Sequence, residues 1–149
     1  TATANITVSA VNNAPVATDV TITSTINEDS RNNKIDVKSN VTDADSDDIS
    51  IVSVTKPDHG TASIRSGYIF YEPDDDYYGS DTFSYTIDDG NDAQDSATVT
   101  LTVTNKDDAA VAVDDDLGDI VIGARKVKVD LVSNDTDADG DSIAITSVN

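Results

Sequence analysis

The 149-residue sequence contains no cysteine, no methionine and no tryptophan. Without cysteine there is neither a disulfide framework nor a thiolate metal site. Histidine occurs once, at His59, so no histidine relay and no zinc cage can be assembled. Its setting, Pro57-Asp58-His59-Gly60, reads as a turn, because proline fixes one dihedral and glycine frees the next. Aromatic residues make up 5% and apolar residues 37%, enough for a modest core of Val, Ile, Leu and a few rings. No segment approaches the roughly 20 apolar residues of a membrane-spanning helix, so direct insertion into a membrane is not expected. Glutamate is nearly missing too, with only Glu28 and Glu72.

What is abundant is aspartate. Asp and Glu together number 29 against nine Lys and Arg, for a formal net charge of -20. Asp is a poor helix former but suits turns and tight oxygen-lined loops. Such a charge repels nucleic acid and anionic membrane, and it opposes compaction unless cations sit among the carboxylates. A uniformly solvated acidic surface is the simpler reading. The aspartates are clustered, however, which favours bound cations.

The sequence also repeats itself. Thr3 to Ser9 recurs as Thr98 to Thr104, Asn13 to Asp19 as Asp108 to Asp114, and Ser39 to Asp45 as Ser133 to Asp139. The offset is about 95 residues, the length of a β-sandwich module. Residues 1–11 therefore read as the last strand of one repeat, 12–106 as a complete repeat, and 107–149 as the first part of the next. That last part is expected to be poorly ordered, exchanged, or completed by another chain.

Within the complete repeat, apolar residues alternate with period two, as in strands that bury one face. Val16 to Ile26, Lys34 to Val37 and Ile49 to Val54 are predicted strands, and Thr61 to Ile64 with Tyr68 to Tyr71 a hairpin. Phe83, Tyr85 and Ile87 are expected to face inward, with Asp88 to Asn91 as a turn into Ala97 to Val103. About seven short strands and no helical periodicity indicate an all-β fold, an antiparallel Greek-key sandwich of the immunoglobulin or cadherin kind.

Two loops carry the metal chemistry: Thr42 to Asp48, with Asp43, Asp45 and Asp47, and Asp135 to Asp141, with Asp137 and Asp139. Alternate carboxylates on a short loop can converge on one hard cation, and Ca2+ accepts 6–8 oxygens in flexible geometry. An EF-hand is excluded, because Thr146 stands where its last ligand would be and Val41 at the opening position of the first loop. Paired carboxylates for glycoside hydrolysis need an apolar cleft that keeps one of them protonated, which polar loops do not offer, so no enzyme activity is expected.

The run Ile26-Asn27-Glu28-Asp29 followed by Asp43-Ala44-Asp45, the segment Phe83 to Gly90, and Asn12-Asn13-Ala14-Pro15 together resemble a cadherin repeat. Closer still is the resemblance to the cadherin-like tandem repeats of giant bacterial adhesins of the RTX type. It rests on Glu28-Asp29, Ser39 to Asp45, His59-Gly60-Thr61, Tyr78 to Tyr85 and Asp89-Gly90 in that order. The resemblance implies that Glu28, Asn105, Asp107, Asp108, Asp137 and Asp139 meet around Ca2+ between neighbouring repeats. It implies that Asn12, Asn13, Asp43 and Asp45 serve the preceding junction. The cadherin Leu-Asp-Arg-Glu segment is absent, and Asp74, Asp75 or Asp76 would stand in for it.

The expectation is an extracellular, cell-surface or secreted spacer whose partners are neighbouring repeats of the same chain. The alternatives are a module that binds polysaccharide or like repeats on another cell, and an accessory domain of a secreted hydrolase.

Overall fold

The computed structural model describes residues 3–9, 11–116, 118, 123 and 126–147. The expected segments 1–11 and 107–149 each include positions outside this set. The chain divides into two compact units, Thr1–Thr104 and Asn105–Asn149.

The first unit is a two-layer β structure built from eight strands: β1 (Val20–Thr21), β2 (Ile26–Asn27), β3 (Asn33–Ile35), β4 (Ser50–Val54), β5 (Gly60–Arg65), β6 (Tyr68–Pro73), β7 (Gly79–Asp88) and β8 (Gln94–Thr104). One sheet runs β1-β8-β7-β4 with β2 also on β8, and the other β3-β6-β5. Among the described residues only β5–β6 and β7–β8 are hairpins; the other pairings join strands distant in sequence. A single 3-10 turn, Lys38–Asn40, is the sole helical element among the described residues.

The long strands follow the alternation in their residues. On β8, Ala97, Val99, Leu101 and Val103 are buried while the threonines between them face outward. On β7 the inward set is Asp81, Phe83, Tyr85 and Ile87. These inner faces meet Ile35, Val37, Ile69 and Tyr71 from the other layer in one cluster. The rings of Tyr71 and Phe83 stack across it at 6.3 Å. Complete burial of such side chains contributes about 1.5–3 kcal/mol each. The β5–β6 hairpin turns on Ser66 and Gly67, both with positive φ (49° and 78°), as a two-residue hairpin turn of the right-handed twist requires.

Two elements depart from the sequence expectation. Val16 to Ile26 is not one strand. Val20 pairs with Val99 and Ile26 with Val103, both in parallel, so six positions on the first segment face four on β8. The two surplus residues bow out at a bend around Ser24. The sandwich is thus mixed at this edge rather than wholly antiparallel. On β4, Ile51 faces Ile87 but Ser53 faces Thr86, so Val52 is an extra residue in a β-bulge. The bulge breaks the alternation and leaves Val52 45% exposed.

Asp81 is a buried carboxylate inside this layer. Its Oδ2 accepts from the Tyr71 hydroxyl (2.8 Å) and the His59 amide (3.2 Å), and its Oδ1 from the Thr82 amide. Burial, and then Asp81, push the Tyr71 hydroxyl far above its ordinary pKa, so it stays protonated and keeps donating. His59 itself is exposed and stacks flat on Tyr77 at 4.1 Å. The group pins the turn between β4 and β5.

In the second unit the described residues form no ladder longer than a bridge between Val111 and Thr136. Its two hydrogen bonds, 2.7 and 3.0 Å, match those between Val16 and Thr42 in the first unit, 2.8 and 3.1 Å.

Candidate metal centre

The bridge between Val16 and Thr42 delivers the chain directly into the loop Asp43 to Asp48. There the Oδ1 of Asp43 accepts from the amides of Asp45 (2.8 Å) and Asp47 (3.2 Å), curling the backbone around its own carboxylate. Short Asp side chains make this closure, and Ser46 completes it with φ of 65°. The curl brings one carboxylate oxygen each of Asp43, Asp45 and Asp47 within 4.8 Å of one another. Asp43 Oδ2 is buried and has no hydrogen-bond partner. A buried carboxylate oxygen in that state lacks the compensation that buried polar atoms ordinarily find.

The chain entering the sandwich is fastened to this loop. Asn13 donates to Asp45 Oδ2 from both its amide nitrogen (2.7 Å) and its side chain (3.0 Å). Asn12 donates to Asp89 at 2.7 Å, and Asn91 to Asp47 at 2.8 Å. Asp89 also accepts from the amides of Asn91 and Ala93. The Asn12 side chain, with smaller help from these amides, holds the Asp89 carboxyl below its ordinary pKa of 3.8 against an opposing effect of burial. Val11, Asn12, Asp45, Asp47 and Asn91 border a groove of about 430 Å3.

Of the expected ligands, the structure brings together Asp43, Asp45 and Asp47 and ties Asn12 and Asn13 to them or their neighbour. Asp89 and Asn91 were not anticipated as site residues. Their Asp-Gly-Asn sequence reads as a turn and as part of the adhesin resemblance, and nothing local reveals that the turn lies beside a loop more than 40 positions earlier.

The second unit carries the same local arrangement. Asp137 Oδ1 accepts from the amides of Asp139 (3.1 Å) and Asp141 (3.0 Å). Asn105 and the amide of Asp108 donate to the Asp139 carboxylate at 2.7 and 2.6 Å. Asp108 thus takes the place of Asn13, and Asp137, Asp139 and Asp141 those of Asp43, Asp45 and Asp47. Asp107 is exposed.

Glu28 lies in the first unit, buried at 3% exposure, with its amide donating to the Thr104 carbonyl. Asp29 accepts from the Asp76 amide at 3.3 Å, and Asp29, Glu72, Asp74 and Asp75 line a recess of about 210 Å3 together with Arg31. Asp74–Asp76 precede β7 and Asp89 follows it. Ten residues of strand therefore hold the two acidic groups at opposite ends of the sandwich, roughly 30 Å apart.

The donors at the Asp43 loop are all hard oxygens, with amide groups at the rim. This set fits Ca2+ and offers nothing to a metal that selects nitrogen or sulfur.

The sequence matches the family described as bacterial Ig domain over residues 12–102. No curated protein and no solved structure matches the chain.

Proposed function

Because the chain belongs to the bacterial Ig domain family, we propose that it is a calcium-stiffened structural repeat of an extracellular bacterial surface or secreted protein, of the adhesin extender kind. Bacterial Ig domains are typically non-catalytic structural modules found outside the cell. The single observation that carries the calcium reading is the convergence of Asp43, Asp45 and Asp47 with the buried, unpartnered Asp43 Oδ2.

Stiffening follows from what the loops hold. Asn13 is bonded to Asp45, and Asn105 and Asp108 to Asp139, so each acidic loop grips the segment of chain that leads into its own unit. A cation that rigidifies the loop rigidifies the lead-in as well. In this proposal Glu28, Asp107 and Asp108 are further oxygen ligands for Ca2+, as the adhesin resemblance implies. Extracellular modules bind Ca2+ at about 10⁻⁴ to 10⁻³ M, a range that suits calcium-rich surroundings.

Calorimetric titration of the chain with Ca2+ tests this. Saturable uptake of at least one ion in the submillimolar to millimolar range is expected, with small-angle scattering showing a less variable shape once it is bound. Uptake no greater than that of a polyaspartate control of equal charge, with unchanged scattering, would sink the proposal.

A further inference from the structure

The positive charge of the first unit is as unevenly placed as the negative. Of its five basic residues, three (Lys34, Lys38 and Arg65) belong to the β3–β6–β5 layer and the 3-10 turn that follows β3. On β6, Ile69 and Tyr71 are buried, so Tyr68 and Phe70 face the other way, half-buried and about 7 Å apart along the strand. Lys34 is paired in register with Phe70 and Arg65 with Tyr68. The Lys34 ammonium sits 3.3 Å from the centre of the Tyr68 ring, and the Arg65 guanidinium 5.3 Å from that of Phe70. Arg65 is held further by Asn32 at 2.8 Å and lies 3.9 Å from Glu72.

Beside this face lies a recess of about 320 Å3 lined by Asp36, Lys38, Ser39, Ser66, Gly67 and Tyr68. Its size is at the lower end of small-ligand sites. Gly67 lines it at the hairpin turn, where its φ of 78° is one that L side chains rarely adopt. The lining is chemically mixed, with one aromatic ring, one ammonium, one carboxylate and three hydroxyls. A purely anionic polymer would find Asp36 repulsive. A sugar acid would not, because its hydroxyls donate to Asp36 while its carboxylate meets Lys38 and its C–H groups meet the exposed part of Tyr68, one face of whose ring Lys34 covers. The net charge of -20 opposes such a polymer over most of the surface, so it can approach only where cations gather, as they do on this face.

We infer that this recess and the adjoining Lys34–Tyr68–Phe70–Arg65 face form a binding site for an acidic, uronate-bearing polysaccharide. This goes beyond the calcium-dependent spacer role and does not depend on it. The test uses the full chain in 5 mM Ca2+ and 50 mM salt, with hyaluronate as probe, neutral dextran of matched length and polyglutamate as comparisons, and binding measured by calorimetry. Hyaluronate is expected to bind, dextran not, and polyglutamate at least fivefold more weakly. K38Q is expected to weaken hyaluronate binding at least fivefold with an unchanged melting temperature, and Y68A to weaken it at least fivefold while still melting cooperatively, whereas K56Q, outside the face, leaves it unaltered. Absence of hyaluronate binding, dextran binding as tightly, polyglutamate binding as tightly, or K38Q and Y68A binding like the parent chain would each overturn the inference. The same outcomes in chelator separate it from the calcium reading, since loss of Ca2+ uptake alone leaves Lys38 and Tyr68 in place.

Discussion

Asp43 divides its labour between its two oxygens: Oδ1 shapes the loop by accepting two amides, while Oδ2 is buried without a partner. Substitution D43N separates these duties. An asparagine oxygen can still accept the amides of Asp45 and Asp47, but the charge is gone. Calcium affinity is expected to fall at least tenfold while stability in chelator stays equal or rises, as titration and denaturant unfolding of the same sample would reveal. Asp89 supplies a second residue-scale expectation. Its folded pKa is depressed, chiefly by Asn12, so its stabilisation is complete above the ordinary carboxylate value of 3.8 and is lost as pH falls through the lower folded value. The N12A variant should therefore be less stable at pH 7 yet lose less on acidification from pH 5 to pH 2 than the parent. Equal acid sensitivity of both proteins in denaturant melts would contradict the assignment. The aspartates of the loop were legible in the sequence because Asp43, Asp45 and Asp47 alternate within five residues. Asp89 and Asn91 were not, because their membership depends on β7 and β8 carrying a distant turn to the same end of the sheet.

At the level of strands, regularity decided what could be read in advance. The alternation of β7 and β8 and the Ser66-Gly67 hairpin turn are local properties, and the structure reproduces them in burial and in register. The first edge was not legible, since the bow between β1 and β2 is set by the partner strand β8 rather than by the residues from Ile22 to Thr25. The bulge at Val52 likewise has no local signal, since only the pairing of Ser53 with Thr86 reveals the extra residue on β4. The packing of β8 predicts that L101A, at a side chain 1% exposed, costs about 2–5 kcal/mol in chemical denaturation. Gly60 makes a stricter test of the hairpin. A Cβ at that position would lie 2.5 Å from the Glu72 carbonyl on the neighbouring strand, so G60A should cost at least about 1–3 kcal/mol, although alanine is no larger than the turn's other residues. A neutral G60A would mean that β5 and β6 are less closely apposed than described.

For the molecule as a whole, the net charge of -20 and the placement of aspartate in gripping loops are two sides of one design. Self-repulsion opposes folding until cations reduce it, and under the calcium proposal the loops concentrate that reduction at the chain segments they hold. Added sodium chloride should accordingly raise the melting temperature in chelator and do so much less once calcium is present. The most direct measurement is thermal unfolding of the 149-residue chain in 5 mM Ca2+ and in chelator at equal ionic strength. With a dissociation constant of about 10⁻⁴ to 10⁻³ M, that concentration contributes roughly 1–2 kcal/mol per site, so the melting temperature should rise by at least about 4 °C with calcium and the rise should fall to about half or less in D43N. Coincident melting curves in calcium and chelator would contradict the account.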